Sequence, residues 1–160
     1  VIEGTYTVLD AAQKALAAVG GHLAVDSSPV LMRTNAATDK SLRIKWASST
    51  SVEIFQSFYY PPDMDFAATY TINFRISKSA NTDATCTFTV GVFEGIGDTN
   101  RGSATAVLGA SALTTYTCTV TPTAGYPTFA AVTLTPGTHT TDDIYLYNAY
   151  VLYKKKMLTS

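Results

Sequence analysis

Charge is what this chain has least of. Only 14% of its 160 residues are Asp, Glu, Lys or Arg, against roughly 25% in an average soluble domain. The 11 basic and 12 acidic side chains nearly cancel, leaving a formal net charge of −1. A nucleic-acid binder usually carries a strong basic excess, so the balance argues against that class. The one basic cluster, Lys154-Lys155-Lys156, reads as a solvated strand end. Cysteine is equally scarce. Cys86 and Cys118 are too few for a disulfide framework. Each stands in Thr-Cys-Thr, so two buried free thiols acting as small hydrophobes are expected, with a cross-strand bridge as the alternative. No apolar run reaches the ~18–20 residues of a membrane span, and no secretory signal is visible. Helix signals are missing after residue 20.

Threonine fills the gap. There are 26 Thr, more than all 23 charged residues together, and β-branched residues suit exposed sheet faces. From Leu42 onward the sequence alternates apolar and polar with period two. Leu42, Ile44 and Trp46 face one way, Arg43 and Lys45 the other. Tyr70 to Ser77 repeats the pattern. Cys86, Phe88, Val90 and Val92 oppose Thr85, Thr87 and Thr89; Tyr116, Cys118 and Val120 alternate with Thr115, Thr117, Thr119 and Thr121. Strands with one buried and one wet face belong to antiparallel sheets. Turn residues between them give about eight strands. The fold class is all-β: an antiparallel β-sandwich of jelly-roll type.

Residues 42–160 form that sandwich, and residues 1–41 form an N-terminal arm or short helix. Asp10 is an N-cap candidate, an Ala-rich run follows, and Gly20-Gly21 closes it. Two strands are apolar on both faces, Val52–Tyr60 and Asp143–Tyr153. In the second, Ile144, Leu146, Tyr150 and Leu152 make one face; Tyr145, Tyr147, Ala149, Val151 and Tyr153 make the other. Both faces of such strands need cover. Tyrosine suits a subunit contact, because it brings area and a hydroxyl that tolerates water. Phe55, Tyr59, Tyr145, Tyr147 and Tyr153 are the candidate interface residues.

Chemistry has few footholds. Phe93 to Gly102, FEGIGDTNRG, holds three glycines and two acids. A phosphate loop needs Gly-Lys-Ser/Thr opening a helix, and neither is present. A calcium loop wants more oxygens than Glu94, Asp98 and Asn100 supply. A strand-ending turn fits better, with contact to a neighbouring subunit as its role. His139 with Asp142 and Asp143 lacks zinc-ligand spacing and any nucleophile-elbow sequence. Nothing pairs Glu53, Asp63, Asp65 or Glu94 into a glycosidase dyad. The chain is read as no enzyme, with no catalytic residue, no cofactor and no metal. Trp46 and the tyrosines offer a sugar platform as an alternative to core packing.

Three segments carry a resemblance. LRIKWASSTSVEIFQSFYYPPD (42–63), VGVFEGIGDTNRGSATAVL (90–108) and FAAVTLTPGTHTTDDIYLYNAYVLYKKK (129–156) follow one another in this order. The order resembles a family of bacteriophage virion jelly-roll proteins. There the first segment reads Lys-x-Ala-Ser, an aromatic strand and Pro-Pro-Asp. The second ends in Phe-Glu-Gly-x-Gly-Asp. The third is Thr-x-Thr-Pro-Gly-x-His before an aromatic strand running to Lys. The resemblance implies a capsid cement, or decoration, protein: a homotrimer that binds across the major capsid protein. It implies a place on the capsid surface of the virion, after assembly in the host cytoplasm. The alternatives are a tail-fibre or receptor-binding domain and a carbohydrate-binding module with a glycan as partner. Neither nucleic acid nor membrane is an expected partner.

Overall fold

The computed structural model describes residues 3–10, 30–33, 42–94, 99–109, 111–123 and 129–156. The described residues form ten strands: β1 (Glu3–Asp10), β2 (Val30–Arg33), β3 (Leu42–Trp46), β4 (Ile54–Tyr59), β5 (Tyr70–Lys78), β6 (Thr87–Glu94), β7 (Thr99–Val107), β8 (Thr114–Val120), β9 (Phe129–Pro136) and β10 (Ile144–Lys154). They form two antiparallel sheets. One runs β2-β3-β10-β5-β8, with β1 also on β10; the other runs β4-β9-β6-β7. From β3 onward the chain crosses between sheets at every connection except the β6–β7 hairpin. That path is the two-sheet sandwich expected from the alternation.

The alternation sets the core directly. Ile44, Trp46, Ile72, Phe74, Ile76, Phe88, Val90, Val92, Cys118 and Val120 all point inward and are buried. Trp46 meets Phe88 edge-on with ring centroids 5.5 Å apart, and Phe74 lies 5.8 Å from Phe88. The Trp46 Nε1–H donates to Val52 O at 2.8 Å, so burial leaves no orphan donor. Cys86 and Cys118 are both buried and unbridged. At one sandwich edge β7 closes on β8, where Thr121 N donates to Arg101 O at 3.1 Å. Gly102 sits at that closure, and a Cβ there would collide with Thr119 O.

Two expectations change. Residues 1–41 do not stand apart as an arm in the portions described. β1 pairs with β10 from Glu3↔Lys154 to Asp10↔Asn148, and β2 pairs with β3 from Val30↔Lys45 to Arg33↔Leu42. Both are strands of the larger sheet. The short helix expected after Asp10 falls outside the described residues. The second change is in β10. Its pairing with β5 shifts register between Leu146 and Asn148. A bulge adds one residue and flips the faces that follow. Ile144 and Leu146 point inward, and beyond the bulge so do Ala149, Val151 and Tyr153. Tyr150 and Leu152 lie on the outer side, half-buried. A strand that looks apolar on both faces is one inward set divided by a bulge.

Candidate functional site

Along β4, Ile54 enters the core, while Phe55 and Tyr59 stand on the outer face, 56% and 71% exposed. Across the sheet the register sets Phe55 opposite Thr133, Thr133 opposite Gly91, and Gly91 opposite Ser103. One step along, Ala131 pairs with Phe93, and beyond it Tyr59 pairs with Phe129. The Tyr59 and Phe129 rings meet edge to face, 6.4 Å between centroids at 64°. A Cβ on Gly91 would come within 2.7 Å of Thr133 Oγ1 and 3.0 Å of the Phe93 ring. The Phe93 ring therefore lies across Gly91. Small residues floor the middle of the face, with the β4 aromatics along one side.

The strands of the face carry no net charge, and Glu53 flanks them just before β4. Among the described positions of β4, β6, β7 and β9 the charged residues are Glu94 and Arg101, and they pair with each other at 3.1 Å. Glu94 is turned inward and buried. Hydroxyls line much of the remaining surface, with Val107 exposed at the end of β7. Thr89 and Thr105 share a hydrogen bond of 2.9 Å, and Thr135 Oγ1 donates to Glu53 Oε2 at 2.6 Å. Exposed rings beside small residues and hydroxyls suit a ligand with apolar C–H faces and neutral polar edges.

Glu94 anchors one end of the sandwich. Its Oε1 accepts from Tyr60 OH at 2.7 Å, and its Oε2 accepts from Thr123 N at 3.0 Å and from Thr123 Oγ1. Tyr60 and Tyr70 share a hydrogen bond of 2.9 Å. Burial is the main cause that lifts both phenols above their ordinary range. They remain protonated and serve as donors. The cluster ties together the ends of β4, β6 and β8.

At the opposite end, His139 is buried. Its Nδ1 faces Gly137 O at 2.8 Å and its Nε2 faces Ala47 O at 3.0 Å. Both ring nitrogens face main-chain carbonyl oxygens rather than a hydroxyl, so the ring is not placed as a base for one. The buried Lys78 ammonium donates to Asp83 O at 2.8 Å and to Asn81 Oδ1 at 3.3 Å, and pairs with Asp142 Oδ2 at 3.8 Å.

The acids considered for a dyad are all engaged elsewhere. Asp63 pairs with Lys155 at 3.0 Å and accepts from Tyr153 OH at 3.2 Å; Asp65 accepts from Ala67 N at 3.0 Å. The calcium-loop reading of FEGIGDTNRG loses its ligands. Glu94 is committed as above, and Asn100 Oδ1 accepts from Gly102 N at 2.9 Å. Residues 95–98, Asp98 among them, lie outside the described residues. Among the described residues no three His, Cys, Asp or Glu side chains gather as a metal would require.

The five candidate interface residues do not form one patch. Phe55 and Tyr59 are on the four-stranded sheet. Tyr145 and Tyr147 are on the outer face of the other sheet, where Arg43 lies 4.1 Å from the Tyr145 centroid and donates to Tyr147 OH at 2.7 Å. Tyr153 is 7% exposed and lies in the core. Arg43, expected on a wet face, is buried between those rings. Trp46 is fully buried and has no part in any surface platform. Phe93 and Phe129 escaped the sequence reading. Only the register of β6 and β9 against β4 brings them to the Phe55 side.

No protein-family model matches the chain, and no curated protein matches it. Solved structures do. A family 61 carbohydrate-binding module in complex with β-1,4-galactotriose is similar at a TM-score of 0.51 and 14% identity, covering 75% of each chain. The first family 36 carbohydrate-binding domain of a multidomain xylanase, from the hindgut metagenome of Trinervitermes trinervoides, matches at 0.52 and 10% identity, covering 98% of this chain and 100% of that one. A Stig cyclase, Fisc, from Fischerella sp. TAU matches at 0.53 and 12% identity, over 97% and 86%. At these identities the likeness is one of fold, the jelly-roll sandwich. It corrects the capsid cement expectation, because these neighbours are carbohydrate-binding modules and a cyclase, and none is a phage virion protein. The homotrimer and the major capsid protein, expected as partners, lose their support with it.

Proposed function

We propose that this chain is a non-catalytic carbohydrate-binding module. It holds a neutral glycan against the outer face of the β4-β9-β6-β7 sheet. The observation that carries the reading is the exposure of Phe55 and Tyr59 on β4, in register with Phe129 and beside the Phe93 ring. Pyranose rings expose C–H faces that stack on aromatic rings, and their hydroxyls bond to Thr and Ser at the edges. The one cation on these strands, Arg101, is paired with Glu94, so a sulfated or uronic chain finds no unpaired cation on the described strands of this face. The carbohydrate-binding modules that share the fold support the same reading.

A glycan array probed with the labelled 160-residue chain tests it. Binding to one or more neutral oligosaccharides, weakened in Phe55→Ala and in Tyr59→Ala, is the expected result. An array with no signal, or a signal indifferent to both substitutions, counts against it.

A further inference from the structure

We infer that the module binds chain ends, with the terminal sugar ring seated in the pocket just beyond the β4–β9 pair. The inference rests on the glycan reading above and adds to it where along a chain the protein binds. The pocket has a volume of about 200 Å3. One wall is Ser49, Thr50 and Ser51; the other is Gly137, Thr138 and Thr140, with His139 behind. Ile54 pairs with Leu134 in the antiparallel β4–β9 ladder. The chain preceding Ile54 and the chain following Pro136 therefore leave the sheet side by side. A ligand lying along Tyr59 and Phe55 runs into this pocket.

The walls are held in advance. Gly137 N donates to Thr87 O at 2.8 Å, and a Cβ on Gly137 would collide with Thr87 Oγ1. The His139 ring joins Gly137 O to Ala47 O across the two loops. Ser49 adopts φ = 67°, a left-handed conformation that few non-glycine residues take, and its N–H donates to His139 O at 2.7 Å. Thr140 gives both its amide and its hydroxyl to Asp83, at 3.1 and 3.0 Å. Strain fixed by surrounding bonds is a mark of preorganised sites.

The chemistry selects the occupant. The walls present Ser and Thr hydroxyls and no Asp, Glu, Lys or Arg. Both His139 ring nitrogens face main-chain carbonyl oxygens of the two loops. An ion has no counter-charge there, whereas a ring bearing several hydroxyls matches the wall. Pockets for drug-sized ligands run to roughly 300–1,000 Å3. This one is smaller and suits a single ring. The buried His139 ring backs it, which suits the last ring of a chain.

The test is an NMR titration of the 15N-labelled chain with galactose, glucose and xylose, then with β-1,4-galactotriose, cellotriose and xylohexaose. For the sugar type that binds, the monosaccharide shifts residues 49–51 and 137–140 alone. The oligosaccharide shifts those residues and also 55, 59 and 93. Thr138→Tyr and Ser51→Tyr, both at exposed positions, abolish the monosaccharide shifts and weaken the oligosaccharide about 10-fold or more. Phe55→Ala weakens the oligosaccharide only. An oligosaccharide that binds the sheet face equally well with the pocket blocked overturns chain-end binding and leaves the glycan reading standing. No binding of any sugar overturns both.

Discussion

Asp83 and Asp142 hold each other's loops in place. The Asp83 carboxylate accepts from the amides of Thr140, Thr141 and Asp142 at 3.1, 2.8 and 2.6 Å. The Asp142 Oδ2 accepts from the amides of Thr82 and Asp83, each at 2.9 Å. These two loops frame the His139 end of the sandwich.

The amide of Asp142, then that of Thr141, holds the Asp83 carboxyl at about 2, below its ordinary 3.8. A depressed carboxyl stabilises the fold above its ordinary value. That contribution is lost as pH falls through the folded value. Urea midpoints are therefore expected to drop between about pH 4 and pH 2. Asp83→Asn should start lower at neutral pH and fall less steeply across that window. Equal slopes for the two proteins would contradict the assignment.

Gly102 closes β7 on β8, where a Cβ would run into the main-chain oxygen of Thr119. A backbone atom cannot rotate away as a side chain can. Gly102→Ala is expected to cost about 1–3 kcal/mol, the range for overpacking a tight site. Chemical denaturation measures it. A neutral outcome would mean that the β7–β8 edge is looser than the Thr121–Arg101 hydrogen bond implies.

Burial pushes the Cys86 thiol up to about 11 and raises that of Cys118 as well. The thiolate is the reactive form. In the folded protein at about pH 8, neither thiol should react with iodoacetamide within minutes, and both should react once guanidinium unfolds the chain. Labelling then reports unfolding. Rapid modification of the native protein would show that one of these thiols is accessible.

Much of the sandwich was legible because its strands obey one rule. In β3, β5, β6 and β8 one set of side chains goes inward, so Trp46, Phe74, Phe88 and Cys118 could be placed from alternation alone. β10 broke the rule without a visible sign. Its bulge changes faces after Leu146, and with Tyr, Val, Leu and Ala on both sides the pattern does not reveal the extra residue. The pairing of residues 3–10 has no local sign in the sequence, because β1 meets β10 across about 140–150 residues of chain. His139 and its acids were noticed as a group, but their partners Ala47 and Asp83 are far away along the chain. Phe55 and Tyr59 were legible as over-apolar strand positions. What covers them was not, since Phe93 and Phe129 join them only through strand order.

Phe55 and Tyr59 on the β4 face carry the proposed glycan binding. Both are exposed, so replacing them with Ala should leave the protein folded, at a cost of about 0.5 kcal/mol at Phe55 and about 0.5–1.5 kcal/mol at Tyr59, which gives up its contact with Phe129. An aromatic contact is worth about 0.5–1.5 kcal/mol beyond area burial, or roughly 2–10-fold in Kd for each ring. The decisive measurement is isothermal titration calorimetry of the wild-type chain and the Phe55→Ala/Tyr59→Ala double variant against a neutral oligosaccharide. Saturable binding by the wild type, lost in a double variant that is still folded, is the result predicted. A folded double variant with wild-type affinity, or a wild-type chain that binds no glycan, would contradict it.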